Sequence, residues 1–217
     1  MTEAPTSPHR PDARRAVAAR DRGLRDLIIY PKTRKLILVW TPYALVVGGL
    51  GLWHVSSAIV ATAAVVYGIL LYSLIEYLMH RFLYHWEPQN RWVRRLTADV
   101  GRHHMNHHRE PAKYGGAING NQVPVVMLAS AIAAFFLSLD VVPGFALIAT
   151  LAGAMNYMTQ ELVHFGTHQL PMDNRLLAIV KRHHMLHHYR DENSNFGLFW
   201  TFWDRIFGTR YDGRRLG

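Results

Sequence analysis

The 217-residue chain contains no cysteine. That absence excludes disulfides, thiolate ligands, iron–sulfur clusters and a cysteine nucleophile, so any transition metal has to be held by imidazole or carboxylate. Acidic residues are scarce too, 15 against 24 Lys and Arg, for a formal charge of +9 with histidine neutral. The N-terminal stretch lacks the apolar core of a cleavable signal peptide, being polar, with Pro5, Pro8 and Pro11 followed by arginines. From Arg14 to Ile29, Val17, Leu24, Leu27 and Ile28 can share one helical face, which predicts a basic segment on a membrane surface; the first dozen residues read equally as a solvated tail. The length favours a single folding domain, divided into a basic tail and surface segment (1–35) and an integral-membrane domain (36–217).

Charge is also absent from four apolar runs. Leu36–Trp53 and Ser57–Ile75 flank the short link His54-Val55-Ser56, and Val123–Leu139 and Val142–Tyr157 flank a turn at Asp140 and Pro143. Each approaches the roughly 20 residues needed to cross a bilayer. Together they predict an all-α, polytopic membrane protein with four transmembrane helices in two hairpins. The basic residues then set an orientation. Nine Lys or Arg lie between Arg10 and Lys35, six more fall between Arg91 and Lys113, and others follow Arg175, whereas the two tight hairpin turns carry none. An excess of Lys and Arg marks the cytoplasmic side, so both termini and the central loop are expected there. Anionic lipid headgroups then account for the positive charge, and no nucleic-acid partner is needed.

What the chain has in abundance is histidine, 14 residues. Twelve fall in four clusters on the predicted cytoplasmic side: His80 and His85; His103, His104, His107 and His108; His164 and His168; His183, His184, His187 and His188. Residues at i, i+3 and i+4 share a helix face. His104, His107 and His108 satisfy that spacing, as do His184, His187 and His188, and His164 and His168 are one turn apart. His80 and His85 are about 140° apart at the helical period, so the second span is expected to end or bend between them, near Phe82–Tyr84. The arrangement repeats about 80 residues later, with Arg-His-His-Met-x-His-His in both halves and Asn90-Arg91 answered by Asn174-Arg175. Two quasi-equivalent halves supplying ten imidazoles suit two metal ions of about five ligands each, set in a cytoplasmic helical cap.

The remaining histidines read differently. His9 and His54 stand alone and are taken as structural. His103 and His183 lie off the shared faces and are expected to hydrogen-bond behind the ligands. Glu76 and Glu161 precede His80 and His164 by one turn, where a carboxylate could accept the second ring N–H of a ligand. Asn156, Tyr157 and Gln160 stand close enough in sequence to line the site.

Imidazole suits iron, zinc and copper alike. Structural zinc, however, is normally tetrahedral and closed, a poor use of ten ligands. Two nitrogen-ligated irons with an open side can activate dioxygen. At the ends of membrane helices, such a site implies oxygen insertion into, or removal of two hydrogens from, an unactivated C–H bond of a lipid.

The clusters His80-x4-His85, His104-x2-His107-His108, His164-x3-His168 and His184-x2-His187-His188 resemble, in order and spacing, those of the membrane fatty acid hydroxylase/sterol desaturase superfamily. His-Arg-Phe-Leu-Tyr-His at 80–85, Lys181–Tyr189, Asn195–Gly197 and Trp203–Thr209 make the fatty acid 2-hydroxylase branch the nearest likeness. The resemblance implies a di-iron monooxygenase using O2 and two electrons, with the ten histidines as ligands and zinc able to replace iron in purified protein. It also implies a substrate among acyl chains, sterols or carotenoids. The chain has no His-Pro-Gly-Gly haem motif, so electrons are expected from a separate transfer protein, which the basic face could dock. Desaturation or carotenoid-ring hydroxylation would use the same metal site. A metal-binding or metal-transport membrane protein is the alternative outside enzymes, although a transporter should carry its ligands near mid-span.

Overall fold

The computed structural model describes residues 31–85, 88–111, 144–172, 174–211 and 213, and every regular element among them is helical. Helix α1 spans Pro31–His54 and α2 spans Ala58–Met79, which runs directly into a π-helical turn at His80–Tyr84. Then come α3 (Arg91–Arg109), α4 (Phe145–Gln169), α5 (Arg175–Tyr189) and a short α6 (Phe202–Ile206).

Local chemistry fixes where these helices start. Ser57 is extended and its hydroxyl accepts from the Val60 backbone N–H, capping α2. Asn90 and Asn174, the paired asparagines of the repeat, cap α3 and α5, with side-chain oxygens accepting from Trp92 and Leu176 N–H at 2.9 and 3.0 Å. The repeated Asn-Arg is therefore a repeated helix start, and it brings both histidine-rich helices in on equivalent footing.

Both α1 and α2 pack chiefly on α4. Small residues allow that close approach. A Cβ on Gly68 of α2 would sit 2.1 Å from the Ala149 carbonyl oxygen of α4. Gly144, at φ 82°, starts α4 against the Gly51 carbonyl and the Val55 backbone, a conformation and a space that suit only glycine. Ala64, Ile148 and Ala149 form one buried cluster, and Trp40 with Ala154 another.

Among the described residues one helical stretch, Ala58–Tyr84, is long and apolar enough to cross a membrane, and only 17% of its most apolar window is buried. Its exposed face includes Ile59, Val66, Tyr67 and Leu70, and α1 exposes Leu45, Val46, Leu52 and Trp53. Such continuous apolar surface marks a contact with lipid or protein rather than with water. The expected span Leu36–Trp53 lies within α1. The expected fourth span is helical from Phe145, but α4 continues through Gln169 and so carries His164 and His168 as a direct extension. The expected span Val123–Leu139 and the amphipathic segment Arg14–Ile29 lie outside the described residues.

Candidate metal centre

The helical stretch ends at Tyr84, with His85 as its C-cap, so the expected end between His80 and His85 is found. Before that end it widens into a π-helical turn, which bonds i to i+5 and so brings two residues five apart onto nearly the same side. Their ring centroids are 5.2 Å apart. The expected end near Phe82–Tyr84 is reached through a change of helical pitch, a device often found at functional sites.

All ten expected histidines meet at one end of the helices, in two groups of five. His80, His85, His104, His108 and His187 form the first group, and His107, His164, His168, His184 and His188 the second. Within each group the possible ligand atoms lie within 4.8 Å of one another. Neither group belongs to one half of the repeat. His107 leaves α3 for the second group, and His187 leaves α5 for the first. Helix geometry explains the exchange. With His104 as reference, i+3 and i+4 lie about 100° apart around a helix, so α3 and α5, set over the seam, each reach both groups. The groups touch where His108 and His188 stack, 4.2 Å between centroids.

The spacing of the nitrogens tests whether an ion fits. His104 Nε2 lies 3.1 Å from His80 Nε2, 3.1 Å from His85 Nε2 and 3.0 Å from His108 Nε2. One imidazole nitrogen offers either a single N–H or a single lone pair, so it cannot satisfy three such neighbours by hydrogen bonding. In the second group, His107–His164 and His168–His184 approach to 2.9 Å, again Nε2 to Nε2. Nitrogens about 2.1 Å from one ion and about 90° apart sit about 3.0 Å from each other, whereas a tetrahedral angle gives about 3.4 Å. The nitrogens therefore have the spacing of a five- or six-ligand cation site.

Electrostatics agrees. Burial, reinforced by neighbouring imidazoles, holds His104, His164, His184, His187 and His188 well below the usual histidine range. Burial likewise lowers His85 to about 4, and His108 and His168 to about 3. At neutral pH these rings are uncharged, as metal ligands must be.

A loop between α5 and α6, absent from the expectations as an orienting element, sets two of the rings. The Ser194 carbonyl accepts from His187 Nδ1 at 2.7 Å, and the Phe196 carbonyl accepts from His80 Nδ1. Both bonds put the proton on Nδ1 and turn the Nε2 lone pair inward. Glu76 consequently does not serve His80 as expected, because both ring nitrogens of His80 already have neighbours. Instead, its Oε2 is buried without a hydrogen-bond partner. Glu161 is half-buried one turn before His164. His183 sits behind the ligands, 8% exposed, and donates from Nε2 to Asp204 at 2.9 Å. The side chain of His103 lies outside the described residues. His54 is exposed at the C-terminal end of α1, and His9 is outside the described residues.

Sequence reasoning also missed Asp204, which is fully buried. Its only signal was its place in the Trp203–Thr209 likeness. Beside the histidines runs a polar strip. Trp40 Nε1, Asn156 Nδ2 and both amide atoms of Gln160 are buried without hydrogen-bond partners, while Asn156 Oδ1 accepts from Trp200 Nε1 at 2.7 Å.

A helical protein with a membrane-length apolar helix and two five-histidine groups able to hold metal is the class these observations define. A model of the fatty acid hydroxylase family matches residues 65–209, and the chain belongs to that family. It is 32% identical over 154 residues to a ceramide very long chain fatty acid hydroxylase, scs7, of Schizosaccharomyces pombe, covering 69% of this chain and 43% of the relative. It is 31% identical over 147 residues to a fatty acid 2-hydroxylase of Macaca fascicularis, covering 65% and 38%. Against a dihydroceramide fatty acyl 2-hydroxylase of Arabidopsis thaliana it is 29% identical over 150 residues, covering 67% and 59%. The chain thus spans well under two thirds of these relatives. In fold it is similar to the hydroxylase domain of full-length scs7p, with a TM-score of 0.64 at 24% identity over 82% of this chain and 66% of that one.

Proposed function

We propose that this chain is a membrane-bound di-iron monooxygenase that hydroxylates a fatty acyl chain, with each group of five histidines holding one iron ion. The observation that carries the reading is the convergence of ten imidazoles into two groups at the end of a membrane-length helix. All-nitrogen ligation at about 90° spacing favours iron over closed, tetrahedral zinc. Bound iron supplies O2 activation. The balanced reaction is R–H + O2 + 2 e− + 2 H+ → R–OH + H2O, and the electrons come from a separate transfer protein. Two relatives are named as 2-hydroxylases, which supports carbon 2 of an acyl chain as the position proposed here.

The chain's own residues divide the remaining work. The Ser194 and Phe196 carbonyls orient ligands. The polar strip of Asn156 and Gln160 receives the polar end of the lipid, since buried polar groups without partners cost about 1–3 kcal/mol each and a ligand can satisfy them. Apolar α1 and α2 surfaces face lipid. Four spans in two hairpins, with both termini and the metal centre on the cytoplasmic side, complete the proposed topology, and the arginines there face lipid headgroups and the electron donor.

Expression in a host lacking 2-hydroxy acyl lipids, followed by lipid mass spectrometry, tests the reading. The parent chain is expected to add one oxygen to acyl chains and a His85→Ala variant to add none. An unchanged lipid profile with iron-loaded, folded parent protein would refute the substrate.

A further inference from the structure

We infer that Asp204 is a positioning residue for the first metal centre alone, acting as a latch on the loop that aims His80 and His187. The inference rests on the metal-binding reading above and adds an assignment to it. The Asp204 carboxylate receives four hydrogen bonds: Phe196 N–H and the Thr209 hydroxyl at 2.8 Å on Oδ1, and Gly197 N–H at 2.8 Å and His183 Nε2–H at 2.9 Å on Oδ2. That number fills its acceptor sites. The two backbone donors hold the very loop whose Ser194 and Phe196 carbonyls accept the Nδ1 protons of His187 and His80. Those two histidines come from different halves of the chain, yet both belong to the first group. No histidine of the second group has a ring bond to this loop among the described contacts.

Several contacts make the latch stiff. Gly197 has no room for a side chain, because a Cβ there would lie 2.7 Å from Asp204 Oδ2 and 2.8 Å from the Trp200 carbonyl. Asn195, at φ 55°, donates from Nδ2 to the His183 carbonyl and accepts from Tyr211 N–H. Thr209, whose hydroxyl donates to Asp204, accepts in turn from Tyr77 of α2 at 2.7 Å. The latch therefore ties the C-terminal segment, α2 and α5 to one centre.

In Asp204→Asn the shape is kept, but an NH2 group faces donors on one side. Residues behind a metal ligand typically contribute about tenfold to hundredfold in metal affinity. The test titrates Co2+ alone into metal-free, detergent-solubilised full chain, read by visible absorption, in two backgrounds. His168→Ala keeps the first centre and His85→Ala keeps the second. Adding Asp204→Asn is expected to weaken the remaining Co2+ about tenfold to hundredfold in the His168→Ala background and to leave it unchanged in the His85→Ala background. Equal weakening in both, as general destabilisation would produce, or weakening in neither, overturns the latch. If Asp204→Asn does not fold, Thr209→Val removes one donor and is expected to show the same selectivity with a smaller loss. A parent chain that takes up no Co2+ overturns the metal reading and the latch together, whereas two-site uptake without selectivity overturns the latch alone.

Discussion

His107 lies on α3 between His104 and His108, yet it joins the four second-half histidines, and His187 makes the reverse exchange. Replacing His107 with alanine should therefore weaken the second centre and spare the first. Zinc-finger peptides bind a four-ligand metal with about 10–16 kcal/mol, so one ligand accounts for about 2.5–4 kcal/mol. That corresponds to roughly a hundredfold to a thousandfold in affinity. Pairing the substitution with losses at known centres reads out where His107 belongs. His107→Ala with His168→Ala damages one centre twice and should leave about one tightly held ion per chain. Combined with His85→Ala, it damages both and should leave none. The assay is metal content of purified, monodisperse protein after exchange against a weak chelator. The opposite pattern, with both ions lost alongside His168→Ala and one kept alongside His85→Ala, would show that each half builds its own centre.

Three further outcomes are expected. Alanine normally stabilises a helix relative to glycine by about 1 kcal/mol, but Gly68→Ala should destabilise by about 1–3 kcal/mol because its methyl meets the Ala149 backbone. Gly49→Ala, with nothing near its Cβ, should not, and thermal unfolding in detergent compares the two. The metal-free protein should lose stability as pH falls from about 6.5 toward about 4, because folding holds His85 at about 4 and the unfolded chain takes up protons first. A melting temperature that does not fall between pH 7 and pH 5 would contradict the buried, neutral histidines. His54→Ala should leave metal content unchanged, since His54 ends α1 just before the start of α2, and α2 runs about 33 Å before it reaches His80.

Much of this arrangement was legible in the residues. Helical spacing pointed to eight of the ten histidines, because i, i+3 and i+4 neighbours share a face whatever the surroundings, and His80 and His85 stood out by clustering alone. The repeated Asn-Arg was visible as a repeat, and in the structure it marks two helix starts, because a cap is a local device. The exchange of His107 and His187 was not legible, since periodicity reports a face and not which of two neighbouring sites that face serves. Nor did sequence reveal the π turn at His80–Tyr84, where tertiary contact selects a pitch that the local residues do not announce. Glu76 was assigned to His80 from spacing alone, but a backbone carbonyl took that place. Carbonyls carry no residue identity, and Phe196 lies 116 positions away from His80. Asp204 was hidden for the same reason, as its donors come from α5, the loop and Thr209 together.

The measurement closest to the central claim is oxygen-isotope incorporation by purified, iron-loaded protein supplied with an acyl lipid, a chemical or protein electron donor and 18O2. One 18O atom is expected in each hydroxylated product, with two irons bound per chain and no product from His85→Ala or His168→Ala. Product hydroxyl drawn from water, or full turnover with either five-histidine group disrupted, would contradict a dinuclear, O2-dependent centre.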